Sequence, residues 1–142
     1  MDENNKQESD FWQCHSITFL EMAFRTDRHE RIEKPDGYGK KTGVCGDTVE
    51  MFITGSNGRI QSVSIMPHGC INTNACANTV AMLAEGKTID EAWEITPETV
   101  AGYLKTLPSD HAHCAELAVG ALYLALSDFQ KTTRDPWKKM YR

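Results

Sequence analysis

The stretch TVEMFITGSNGRIQSVSIM, running from Thr48 to Met66, decides the fold of this chain. Val49, Met51 and Ile53 alternate with Glu50 and Phe52, and Val63 and Ile65 alternate with Ser62 and Ser64. A period of two is what a strand shows when it lays one face on a core. Between the two halves stands Gly55-Ser56-Asn57-Gly58, and Asn-Gly tolerates the left-handed backbone that a tight hairpin turn demands. Strands are therefore predicted over Thr48–Thr54 and Arg59–Met66, paired antiparallel.

Outward from this hairpin the pattern turns helical. Upstream, Ile17, Leu20 and Phe24 recur at helical spacing behind Ser16, a capping residue, so a helix is predicted from Ser16 to about Ile32. Pro35-Asp36-Gly37-Tyr38-Gly39 reads as a break after it. Downstream, Thr73–Glu85 carries Val80, Leu83 and several alanines, and Gly86 can terminate it. Thr88-Ile89-Asp90-Glu91 has the form of a capping box, and Thr96-Pro97 that of an N-cap followed by proline at the first helical position. Leu107-Pro108-Ser109 closes that helix, and a last one is predicted from His113 to Phe129, with Leu117, Ala121, Leu124 and Ala125 on one face. Helices before and after a hairpin give an α+β class: a small antiparallel sheet covered by helices.

At 142 residues the chain fits one domain with a buried core, and 40% hydrophobic against 25% charged residues is a globular balance. The net charge of −5 excludes a broad nucleic-acid footprint, and the longest apolar run, Leu117–Leu126, is too short to span a bilayer. Residues 1–15 read as a polar tail and residues 131–142 as a basic one, leaving a core domain over residues 16–130. Five cysteines cannot all pair, and the polar, acidic start has no signal-peptide pattern. A reducing cytoplasm is the expected compartment, where cysteines serve metals or catalysis more often than disulfides.

Three of those cysteines lie at element boundaries. Cys45 precedes the first strand in Gly43-Val44-Cys45-Gly46-Asp47, Cys70 follows the second in His68-Gly69-Cys70, and Cys114 follows His113 at the start of the last helix. An antiparallel pair brings Cys45 and Cys70 to one end of the sheet. A helix N-terminus stabilises thiolate, which predicts lowered pKa values at Cys114 and Cys70. The glycines Gly46 and Gly69 let backbone amides approach sulfur or a bound group closely. Soft thiolates select zinc, copper(I) or iron–sulfur centres. Asp47 is a hard, more exchangeable donor, and three cysteines with Asp or His suit a site that releases what it holds. Asp47 equally suits a turn and His113 a helix start. Cys76, among alanines, reads as a packed core thiol, and Cys14 has no partner motif. His68 and His111 either handle substrate beside the ligands or lie on the surface.

Cys45-Gly46-Asp47, Gly69-Cys70, Gly86-Lys87-Thr88 with Glu91-Ala92, Leu107-Pro108 and His113-Cys114-Ala115-Glu116-Leu117-Ala118 together resemble the IscU iron–sulfur scaffolds and the N-terminal domain of NifU. The likeness covers roughly Gly43 to Phe129. It implies that Cys45, Cys70 and Cys114 accept sulfur and iron, with Asp47 and His113 as alternating fourth ligands. Cys76, His111 and His68 are not part of that implied set; from their positions in this chain they are candidates for an extra ligand or a role beside the ligands. It further implies a cysteine desulfurase as sulfur donor, a [2Fe–2S] or [4Fe–4S] cluster passed to apo-proteins, and zinc able to take the same ligands. A cluster bridging two chains would allow a homodimer. The bacterial scaffold carries Leu-Pro-Pro-Val-Lys where this chain has Leu107-Pro108-Ser109-Asp110-His111, so recognition by the dedicated Hsp70 chaperone is not carried over. The segment Ile71-Asn72-Thr73-Asn74-Ala75-Cys76 also departs from the family's small serines and alanines. Two other functions compete. One is a zinc-dependent sulfurtransferase, against which stands the compact spacing from Cys70 to Cys114. The other is a structural zinc adaptor, against which stands Asp47, since closed structural sites favour four cysteine or histidine ligands.

Overall fold

A computed structural model of the chain describes residues 16–137. Cys14, the polar tail and residues 138–142 lie outside them. The first helix, α1, spans Ile17–Phe24 and is capped by the Ser16 hydroxyl, which accepts from the Phe19 amide. It stops well short of Ile32 because Asn78 intervenes. This wholly buried side chain donates to the carbonyls of Met22 at 2.7 Å and Arg25 at 3.0 Å, satisfying backbone acceptors that a further turn would have used. The chain then leaves helical geometry, and the Arg28 carbonyl accepts from the Ile65 amide.

Three strands form one antiparallel sheet in the order β1-β2-β3: β1 Gly37–Thr42, β2 Thr48–Ser56 and β3 Arg59–His68. The predicted hairpin is β2–β3, turning through Asn57 and Gly58 at φ 56° and 74°. β1 is a strand where the sequence pattern indicated only a break. Its glycines serve close packing rather than chain reversal: a Cβ on Gly37 would lie 2.5 Å from the Ala125 carbonyl oxygen, and one on Gly39 would lie 2.4 Å from the Ala121 oxygen.

Those backbone atoms belong to the last helix, α5, which spans Ala112–Arg134 and packs on β1 and β2. It includes Lys131–Arg134, the first four residues of the expected basic tail. Beside it α2, Ile71–Ala84, packs on β3. Two short helices connect them, α3 over Ile89–Ala92 and α4 over Pro97–Leu104, each opened by the predicted capping threonine, Thr88 or Thr96. α1 and α4 pack against α2. Between sheet and helices lie Val49, Met51, Ile53, Val63, Ile65, Val80, Leu117 and Leu122, all essentially without solvent contact. Each such side chain contributes about 1.5–3 kcal/mol of apolar burial. The opposite face of β2 is covered too: Glu50 is buried under Arg31 and the Tyr38 hydroxyl, and the Phe52 ring lies 5.2 Å from that of Tyr38. No helix among the described residues is long and apolar enough to cross a membrane.

Candidate metal centre

Register places the site. Thr48 of β2 pairs with His68 of β3, so the loop before β2 and the residues after β3 meet at one end of the sheet. That loop carries Cys45 and Asp47. Cys70 stands at the N-cap of α2, and a 3-10 turn over Ser109–His111 delivers the start of α5 to the same end. The four cysteines among the described residues are all free thiols; Cys45 and Cys70 are exposed, Cys76 and Cys114 buried.

At the centre stands a residue the sequence reading passed over. Thr73 is wholly buried, and its hydroxyl donates to Asp47 Oδ2 at 2.6 Å while lying 3.5 Å from Cys114 Sγ and 3.8 Å from Cys70 Sγ. The available signal was its position three residues past Cys70, on the same face of the helix start. Asp47 also accepts from the Cys70 amide at 3.4 Å. The Thr73 hydroxyl, ahead of the opposing effect of burial, holds the Asp47 carboxyl below its ordinary value, and Cys70 and the Cys45 thiol add to this. Gly69 leaves room for the carboxylate: a Cβ there would sit 2.4 Å from Asp47 Oδ2. The close approach that glycine permits here is thus by a side chain, whereas Gly46 has φ +90° and nothing within 4 Å of where a Cβ would be.

The two helix-start thiols differ in protonation. Burial works to raise Cys70, but hydrogen bonds from Thr73 and Asn72 outweigh it and its thiol lies below the usual range. Cys114 behaves opposite to the expectation drawn from the helix dipole. Burial pushes it up to about 11, the Thr73 hydroxyl opposing and the neighbouring Cys70 and Cys45 adding. A dipole effect is worth at most a kcal/mol or two, about one pKa unit, and desolvation of a thiolate exceeds it. Cys76 is packed in the core, and burial raises its thiol strongly.

Cys70, His111 and Cys114 bring one donor atom each to within 4.8 Å of one another. His111, and not His113, is the imidazole in this group. The His113 ring lies 5.7 Å from that of His111 and lines a separate groove with Lys41, Val44 and Leu117. Cys45 lies outside the 4.8 Å group but near enough to act on both Asp47 and Cys114. His68, at the end of β3, is exposed and outside it as well.

Comparison with known proteins identifies the family. Residues 28–135 match the family model for the NifU-like N-terminal domain. The chain belongs to that family. Among curated members of wider NifU/IscU kinship, the iron-sulfur cluster assembly scaffold protein IscU 1 of Archaeoglobus fulgidus is 37% identical over 100 residues, 70% of this chain and 65% of that protein. The iron-sulfur cluster assembly protein IscU of Plasmodium falciparum is 32% identical over 105 residues, 74% of this chain and 63% of that protein. A Drosophila melanogaster relative, 32% identical over 88 residues, is named an iron-sulfur cluster assembly enzyme. The chain thus spans between 56% and 65% of the length of these relatives. The NifU-like fold itself recurs in a Brucella abortus NifU-like N-terminal domain, with a TM-score of 0.68 at 16% identity over 82% of this chain and 94% of that one. It recurs also in a Fervidobacterium islandicum protein described as a candidate scaffold for the SUF system, with a TM-score of 0.68 at 19% identity over 80% and 97%.

Proposed function

We propose that this protein is a scaffold that assembles a labile iron–sulfur cluster and hands it to apo-proteins, acting as a carrier and not as a turnover enzyme. The observation that carries this reading is the meeting of Cys70, Cys114 and an imidazole within 4.8 Å, with Asp47 one hydroxyl away, in a NifU-like domain. The donor set fits the cargo: thiolates are the ordinary ligands of iron–sulfur clusters, and clusters built for electron transfer are typically held by four cysteines. Cys45, Cys70 and Cys114 are the thiolate ligands in this reading, and the oxygen of Asp47 is the exchangeable one. The cluster, [2Fe–2S] or [4Fe–4S], is the product that leaves.

Sulfur comes from a persulfide-bearing cysteine desulfurase. Cys70 is the thiol suited to receive it, being exposed and shifted toward thiolate. Its thiolate attacks the outer sulfur of the donor persulfide, forms a new S–S bond and releases the donor's thiolate. The reading is set in a reducing compartment such as the cytoplasm, where thiols stay available as ligands.

Anaerobic reconstitution with iron(II) and sulfide tests the reading. A brown protein with charge-transfer absorption is expected, and apo-ferredoxin should remove the cluster. Cys45→Ala, Cys70→Ala and Cys114→Ala should each lose it, whereas Cys14→Ala should not. Binding of zinc alone, resistant to iron and sulfide, would instead favour a zinc-dependent sulfurtransferase using the same exposed Cys70.

A further inference from the structure

We propose that His111, and not His113, is the nitrogen ligand of this chain, completing with Cys70 and Cys114 a three-donor seat for one soft divalent metal ion, zinc or iron(II). The inference rests on the scaffold reading and assigns a residue within it. The sequence pattern favours His113, which adjoins Cys114. Helix geometry favours the other histidine. Neighbouring residues on a helix point about 100° apart, whereas residues three apart share a face. His111 and Cys114 are three apart, and the residue that ends the 3-10 turn also opens α5. One of its ring nitrogens accordingly lies within 4.8 Å of the Cys114 sulfur, and His113 lines the groove beside Lys41 and Leu117.

Two further observations point the same way. His111 Nδ1 is buried and has no hydrogen-bond partner among the protein atoms, so no side chain or backbone group engages its lone pair. The other ring nitrogen, Nε2, faces the Asp110 carboxylate at 4.0 Å. A metal-bound imidazole commonly has one nitrogen on the metal and the other hydrogen-bonded to a carboxylate that fixes the tautomer; here the carboxylate stands about 1 Å beyond that contact, within reach of a side-chain rotation. The spacing is also close to what a metal needs. In a tetrahedral zinc site with ordinary bond lengths, the donors stand about 3.6–3.8 Å apart. Donors already within 4.8 Å reach that spacing by side-chain movements of about 1 Å. On binding, the two thiols lose their protons to solvent and the imidazole binds as the neutral ring. Three protein donors leave the fourth position open to Asp47, to Cys45 or to incoming sulfur.

The test uses the full chain and zinc(II) as the probe. Long-range nitrogen–proton NMR of the zinc-loaded protein should show the Nδ1 resonance of His111 shifted into the metal-bound range while both His113 nitrogens stay in the free range. Chelator competition should show His111→Ala and His111→Gln binding zinc at least about tenfold more weakly and His113→Ala within about twofold of the parent. A metal-shifted His113 resonance, or the affinity loss falling on His113→Ala instead, overturns the proposal. The resonance is read on the unaltered protein, so a variant that fails to fold does not affect it. Cys70→Ser and Cys114→Ser separate the two levels. If both keep full zinc affinity, the scaffold reading itself falls; if both lose it while His111→Ala keeps it, only the role of His111 falls.

Discussion

Replacing Thr73 by valine removes one oxygen atom from the middle of the site and almost nothing else. Valine has the same shape, and Thr73 is wholly buried, so packing survives. What is lost is the 2.6 Å hydrogen bond to Asp47. A hydrogen bond to a charged group contributes about 1.5–3 kcal/mol. Asp47 keeps the Cys70 amide and is partly exposed, so water replaces much of the loss. The expected cost is about 1 kcal/mol, a fall in melting temperature of about 3–5 °C for a domain of this size. The pH dependence has a definite sign. Asp47 titrates below its ordinary 3.8 in the folded chain, mainly because of this hydroxyl. Its stabilisation is therefore complete above pH 3.8 and is lost as pH falls through the lower, folded value. Thr73→Val should move the Asp47 carboxyl back up toward 3.8, and the stability gap between variant and parent should be constant near neutrality and close in acid. Urea denaturation at several pH values, with carbon NMR of the Asp47 carboxyl, measures both. A variant as stable as its parent at pH 7, with an unmoved Asp47 titration, would refute the role given to Thr73.

Two further outcomes follow from packing and exposure. Gly39→Ala should destabilise the fold by about 1–3 kcal/mol or more, since its Cβ would meet the α5 backbone at Ala121 and Ala125, which cannot move aside as a side chain can; an unchanged urea midpoint would contradict the packing described. In metal-free protein, limited iodoacetamide labelling read by peptide mass should modify Cys70 well before Cys114, with Cys76 last, following exposure and the opposite shifts of their thiols. Labelling of Cys114 ahead of Cys70 would contradict it.

Local chemistry made much of this fold legible in the chain. The Asn57–Gly58 turn and the capping threonines Thr88 and Thr96 act over a few residues, and each appears where it was expected. The failures are all long-range. Gly37-Tyr38-Gly39 looks like a break until Ala121 and Ala125, helix residues more than eighty positions later, are seen to need the space above it. α1 ends where it does because of Asn78, a residue of a different helix. The candidate centre divides in the same way. Boundary positions of Cys45, Cys70 and Cys114 could be read from the hairpin and the helix starts. The raised pKa of Cys114 could not, because burial is a property of the assembled core, and neither could the choice of His111 over His113 or the bridging hydroxyl of Thr73.

The flanks of the sheet have a consequence for how anything approaches this molecule. Unpaired amides and carbonyls along a strand invite another chain to extend the sheet. On β3 that invitation is withdrawn at two points: Ile65 donates to the Arg28 carbonyl, and Ile60 exchanges hydrogen bonds with Lys87 and Gly86. On β1 the last three residues expose Lys40 and Lys41, whose charges discourage a flat, apolar neighbour. If the chain acts as the scaffold proposed above, a donor or recipient of cargo would meet the loop and helix ends where the sulfurs lie, and not a strand edge open to pairing, so that docking and delivery would share one place.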